Sequence, residues 1–216
     1  MKKCVCVVLL LVAIAVLSSP ALMAQGRSDR TVGLKGGLNV AKLVGDDSGG
    51  AKWRYVGVFG GFLCFRVNDI LAIQPEALIA MKGAKTREFF DFGAGPEEVE
   101  GTIKLTYLEF PVTAKVYFPT QIEMQPYIYA GLAFAIKVGS RVRAEVRDVS
   151  AEADLENSRG ADVGVVVGIG FDYEVGPGNA LFDLRYEAGF VSVVDAEDVD
   201  LRNSVVSFAI GYGFPF

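Results

Sequence analysis

Histidine is absent from the 216 residues. That absence excludes histidine-dependent catalysis and histidine metal ligation. Cysteine is scarce, with Cys4, Cys6 and Cys64 only. The first two fall in a segment expected to be removed, so Cys64 alone remains and no internal disulfide staples the chain. Positive charge is in deficit: 21 Lys and Arg stand against 26 Asp and Glu, for a net charge of −5, which argues against a nucleic-acid partner. Long apolar runs are missing too. Beyond Ala24 nothing approaches the ~18 to 20 residues that a spanning helix needs. Yet 51% of the residues are hydrophobic and 25 are glycine. High apolarity without a helix fits spanning strands, the other backbone solution that lipid permits.

The start of the chain is read separately. Lys2 and Lys3 precede an apolar run from Val5 to Leu17, and Ser18 to Ala24 supply the small residues of a cleavage region. This is the order of a secretory signal peptide. Cleavage is expected after Ala24, with Ala21 as the alternative, giving a signal peptide over 1–24 and a single domain over 25–216. Cys4 and Cys6 lie too early to be a lipid-modified cysteine behind the apolar run, which argues against a lipoprotein.

The opposite end carries the clearest pattern. In VVSFAIGYGFPF, Val206, Phe208, Ile210, Tyr212, Phe214 and Phe216 are apolar or aromatic, while Ser207, Ala209, Gly211, Gly213 and Pro215 are small or ring-constrained. Period two means a strand with one greasy face and one bare face. A membrane barrel turns the greasy face to lipid and the small face to a crowded lumen.

The same rhythm recurs upstream. Strands are expected at 31–43, 53–66, 70–82, 102–118, 125–138, 161–174, 180–193 and 205–216. Outward faces are expected at Val32, Leu34, Leu38 and Val40; at Tyr55, Phe59, Leu63 and Phe65; and likewise along the others. The second strand is apolar or glycine on both faces, so its phase is ambiguous. Connections alternate, long at 44–52, 83–101, 139–160 and 194–203, short at 67–69, 119–124 and 175–179. That alternation, with an even strand count, is the pattern of long outer loops and short periplasmic turns, with both termini in the periplasm. The fold class is therefore all-β, an eight-stranded antiparallel up-and-down transmembrane barrel.

Inward positions hold the charges. The candidate lumen network is Lys35, Glu76, Glu109, Lys115, Asp183, Arg185 and Glu187, with Lys82, Lys137 and Asp172 on the same face. Paired carboxylates such as Glu76 and Glu109 could serve acid–base chemistry. The plainer reading is an ion-pair network filling a barrel whose interior is just wide enough for side chains. Strands three and four are neighbours in a meander, so Glu76 is expected within reach of Lys115, and Arg185 near the centre of the network. Each long connection carries net negative charge. Asp195, Glu197, Asp198 and Asp200 are the densest acidic group, either a divalent-cation site or a solvated loop, and their spacing does not match an EF-hand. Gly168-Ile169-Gly170 has no following helix, so no phosphate loop is supported. No cofactor and no catalytic residue is expected.

Several phrases, GLKGGLNVAKL (33–43), ILAIQPEALIAMKGAK (70–85), YLEFPVTAKVYF (107–118), QPYIYAGLAFA (125–135) and LFDLRYEAGF (181–190), together resemble the outer-membrane beta-barrel family that includes the PorT-like proteins, with OmpX- and OmpA-like eight-stranded barrels as its architecture. The resemblance implies a Gram-negative outer-membrane protein. It implies no single activity, although the PorT branch serves protein secretion. The aromatic terminus, Phe208, Ile210, Tyr212, Phe214 and Phe216, is similar to the C-terminal signal read by the barrel assembly machinery. Lipid A deacylases and acyltransferases resemble this chain in shape only; they rely on histidine, so the chain is not expected to be an enzyme. Three functions remain open: an integral barrel with a structural, adhesive or accessory envelope role; a PorT-like component whose partners are secretion-system proteins; and a soluble lipocalin-like carrier, which would turn its apolar face inward around a ligand. The first implies outer-membrane lipid and lipopolysaccharide as partners.

Overall fold

The alternating stretches form nine antiparallel strands: β1 (Arg30–Val44), β2 (Arg54–Arg66), β3 (Leu71–Asp91), β4 (Pro96–Tyr117), β5 (Met124–Val146), β6 (Val149–Asp154), β7 (Ala161–Val175), β8 (Gly178–Gly189) and β9 (Arg202–Pro215). The structure is a computed structural model that describes residues 30–45, 52–91, 96–146, 149–154, 160–192 and 201–216. The expected signal peptide at 1–24 and the acidic group Asp195, Glu197, Asp198 and Asp200 lie outside the described residues.

Eight strands close into a ring. The hydrogen-bonded order runs β4-β3-β2-β1-β9-β8-β7-β5, and β4 also pairs with β5. The terminal strand is the last stave: β9 pairs with β1 from Thr31 opposite Pro215 to Val44 opposite Arg202. Closure satisfies every spanning backbone group without an open edge. The ninth strand, β6, hairpins back onto β5 above the ring.

Alternation sorts the side chains by face. Leu34, Leu38, Ile79, Leu132, Ile169, Phe208 and Ile210 are exposed on the outside, while their chain neighbours Lys35, Asn39, Ala80, Ala133, Ser207 and Ala209 are buried inside. In β2, Tyr55 and Phe59 point outward as expected, but Phe65 is only 9% exposed. Aromatics mark both rims, with Phe118, Tyr173, Phe214 and Phe216 exposed near the short turns and Trp53, Tyr55 and Phe190 near the long connections. Such rings suit a membrane–water interface.

The short turns are built locally. The Asn68 carboxamide oxygen accepts from the backbone N–H of Ile70 at 3.0 Å and of Leu71 at 2.8 Å, an Asx turn. Gly176 takes φ +60° in the β7–β8 hairpin, where a side chain would be strained.

Two expected loops are largely strand. β3, β4 and β5 contain 21, 22 and 23 residues, against 12 for β8. A tilted spanning strand needs roughly 9–11. The excess lies within 83–101 and 139–160, where long loops were expected, and there the ladder continues as a four-stranded sheet of β3, β4, β5 and β6. Above lipid a ladder needs partners but no apolar face. Charged segments such as 97–101 and 141–146 therefore resemble solvated loops in sequence while keeping β-branched residues suited to strands. At the other end of the comparison, the strand expected over 180–193 stops at Gly189.

Candidate functional site

The ring gathers the inward charges into two groups along its axis. In the first, Glu76 of β3 is the hub. Lys35 Nζ donates to Glu76 Oε1 at 2.7 Å and to Asp183 Oδ2 at 3.2 Å. Arg185 Nη2 reaches both Glu76 oxygens, at 2.9 and 2.8 Å, while its Nε points to the Tyr129 hydroxyl at 3.4 Å. The Gln74 amide donates to Glu76 Oε1 at 2.6 Å, and the Tyr127 hydroxyl donates to Asp183 Oδ1 at 2.7 Å. Strands β1, β3 and β8 thus converge on one carboxylate, and β5 joins the group through Tyr127 on Asp183 and Tyr129 on Arg185.

The second group centres on Lys82, only 1% exposed. Its ammonium forms ion pairs at 2.5 Å with Glu109 and with Glu187. Above it, Asn203 donates to the Tyr107 hydroxyl at 3.3 Å and to Asp162 at 3.1 Å. A small apolar cluster of Leu43, Ala84, Leu105, Tyr107 and Ala135 then closes the top.

Every member of the expected lumen network, Lys35, Glu76, Glu109, Lys115, Asp183, Arg185 and Glu187, is buried, and all but Lys115 are joined by ion pairs. The expected Glu76–Lys115 pair does not form. The register sets Lys115 opposite Ala72, four residues short of Glu76 and so about 13 Å away along the strand. Lys115 instead lies over the Tyr127 ring at 3.8 Å, a cation–π contact, with Tyr129 at 6.0 Å. Lys137 is half-buried opposite Tyr107, next to a bulge at Thr106/Tyr107. Asp172 accepts from the Tyr117 hydroxyl at 2.9 Å, and Arg66 stacks over that ring at 4.1 Å near the short-turn mouth.

Sequence reasoning placed Lys82 inward but not at a hub, and it gave the tyrosines no role. The signal was in the opposite strand. Gly168 and Gly170 of β7 face Tyr129 and Tyr127 of β5 across the ladder. A Cβ on Gly168 would fall 2.3 Å from the Tyr129 ring, so inward glycines there are seats for inward rings.

The interior leaves little space. Among the described residues, one cavity of about 20 Å³ lies between the ion-pair groups against Asn39 and Ser207, and another of about 20 Å³ lies beside Lys115, Gln74 and Asp172. Each has room for about one water. The carboxylates Glu76 and Glu109 are held by cations, and the cavity that Glu109 lines has a volume of about 20 Å³. A lipocalin-like carrier finds no support in this geometry, because the apolar face is outside and the charged face inside.

The family model described as "Outer membrane protein beta-barrel domain" matches residues 23–195. No curated protein matches the chain. Among solved structures, Neisserial surface protein A is similar at 17% identity, covering 89% of this chain and 100% of that one, with a TM-score of 0.47. OprG of Pseudomonas aeruginosa is similar at 14% identity, covering 89% and 99%, with a TM-score of 0.46. Ail, the attachment invasion locus protein of Yersinia pestis, is similar at 15% identity, covering 86% and 99%, with a TM-score of 0.41. A closed eight-stranded ring with an apolar exterior, matched over most of its length by that family model, identifies this chain as a member of the outer membrane protein beta-barrel family.

Proposed function

We propose that this outer-membrane barrel is a sealed anchor that works through what it displays, in a structural, adhesive or accessory envelope role, and that it is neither a pore nor an enzyme. The carrying observation is the interior: among the described residues ion pairs cross it at two levels, and the cavities beside them hold about 20 Å³ each. Buried charges so paired are held in place by the cost of separating them.

In this reading the long-strand end faces the cell exterior, both termini lie in the periplasm, and the sheet of β3, β4, β5 and β6 stands above the outer leaflet. The outer surface is in contact with lipid and lipopolysaccharide, and the barrel assembly machinery reads the aromatic terminus. The short turns, as at Asn68 and Gly176, match the periplasmic rim of this architecture.

Single-cysteine labelling tests the orientation. Ala151→Cys in the projecting sheet should react with a membrane-impermeant maleimide on intact cells, whereas Gln121→Cys in a short turn should react only after the outer membrane is opened. Both sites are exposed, and the native Cys64 is buried. The reverse labelling order would overturn the proposed topology.

A further inference from the structure

Two buried polar groups in the lower lumen lack hydrogen-bond partners, and they face the same space. Lys115 is only 1% exposed, and among the described residues its ammonium meets the Tyr127 ring at 3.8 Å but no acceptor. Asp172 and Asp183 lie within its field, so its charge is balanced at a distance. Their oxygens are engaged elsewhere: Asp172 accepts from Tyr117 at 2.9 Å, and Asp183 accepts from Lys35 at 3.2 Å and from Tyr127 at 2.7 Å. What Lys115 lacks is therefore an acceptor for its N–H groups rather than a counter-charge. The second group is Gln74, also 1% exposed, whose Oε1 is buried and accepts no hydrogen bond. Its amide is fixed, because Nε2 donates to Glu76 Oε1 at 2.6 Å and the reverse orientation would set two oxygens together.

Register explains why the two groups do not meet directly. Gln74 stands opposite Thr113, and Lys115 follows two residues later on the same inward face. Such diagonal neighbours have Cβ atoms about 7 Å apart. Two hydrogen bonds through one shared oxygen span about 5–6 Å. Lys115 and Gln74 both line the cavity of about 20 Å³ whose wall includes Cys64 and Leu181. Toward the short turns the same cavity is lined by half-buried Arg66, Asp172 and Asn179. Arg66 is held there by the Gln125 amide oxygen at 2.7 Å and by the Tyr117 ring at 4.1 Å.

We infer that this cavity is a binding site for one water, which accepts from Lys115 Nζ, donates to Gln74 Oε1 and enters through the short-turn mouth. The volume suits one water, and a polar site with partners of both kinds is the sort that holds one. A halide or other small anion would satisfy the ammonium but would face Gln74 Oε1, Asp172 and Asp183 at close range. Left unmet, the buried donor and the buried acceptor would each be costly. The site also marks the lower limit of the seal: water reaches Lys115 from the short-turn side, and the Glu76 hub closes the lumen beyond it. Only that limit rests on the sealed-barrel reading; the site itself does not.

The test is a crystal structure of the folded full chain grown in a bromide-containing buffer. One density peak should lie within hydrogen-bond distance of both Lys115 Nζ and Gln74 Oε1, with no anomalous signal from bromide. A dry cavity, or bromide in it, would overturn the inference. Cys64→Val adds apolar bulk to the cavity wall and supplies a second readout. It should expel the water and lower the folding equilibrium constant in lipid vesicles roughly tenfold, because the lost hydrogen bonds are not replaced. Cys64→Ala should keep the water. Filling a dry cavity would instead stabilise the barrel, so a Cys64→Val protein more stable than the parent would also overturn the inference. A large conductance would contradict the seal without emptying this site, so the two readings can fail separately.

Discussion

Replacing Glu76 by glutamine keeps the shape of the hub and removes its charge. Glu76 faces Lys35 at 2.7 Å and Arg185 at 2.8 Å, with side chains almost wholly buried. At an effective dielectric of about 20, each contact is worth about 6 kcal/mol in Coulomb terms. Much of that is already spent in desolvating the charges, so the observable loss is smaller. Breaking a buried pair by removing one partner typically costs about 3–5 kcal/mol, because the other charge is left uncompensated. Glu76→Gln leaves Lys35 and Arg185 to share Asp183, so the loss should sit in that range. The assay is reversible urea unfolding of the barrel from lipid vesicles, followed by tryptophan fluorescence of Trp53 and by heat-modifiable migration. Adding Lys35→Met to Glu76→Gln should recover part of the loss, since one orphaned cation goes with its carboxylate. A single variant within ~1 kcal/mol of the parent, or no recovery in the double, would refute the hub.

Outward positions should be intolerant of charge. Leu132→Arg and Ile210→Arg, both exposed on the apolar belt, should each cost roughly 2–4 kcal/mol and block assembly; normal heat-modifiable folding of both would contradict the assigned face. Arg185→Ala strips Glu76 of one of its two cations and should destabilise less than Glu76→Gln, because Lys35 remains; vesicle unfolding checks the order. Removing Phe216, whose N–H donates to the Arg30 carbonyl at 3.0 Å at the seam between the chain ends, should lower outer-membrane levels more than export. Unchanged levels would show that the aromatic terminus carries no assembly information.

Much of the barrel is legible in the sequence because lipid outside and packed polar groups inside force a strict period of two. Strand existence, facing and closure follow from residues such as Leu34 beside Lys35 and Ile210 beside Ala209. Legibility ends where that constraint ends. Above the lipid no face must be apolar, so the charged continuations of β3, β4 and β5 look like loops and their pairing is invisible. Partner choice within the lumen is invisible for a second reason. Parity says that Glu76 and Lys115 face inward, but only register says that Lys115 lies opposite Ala72 while Lys35 and Arg185 reach Glu76. The tyrosine seats needed both strands at once, glycine on β7 against a ring on β5.

The sealed interior is most directly tested by current. The folded full chain, inserted into planar bilayers, should give no large steady conductance, because the lumen is crossed by Lys35–Glu76–Arg185 and again by Lys82 with Glu109 and Glu187. Broad water channels belong to barrels of about 16 strands. A large, steady, ion-selective open state in the wild-type protein would contradict the account and make the chain a pore.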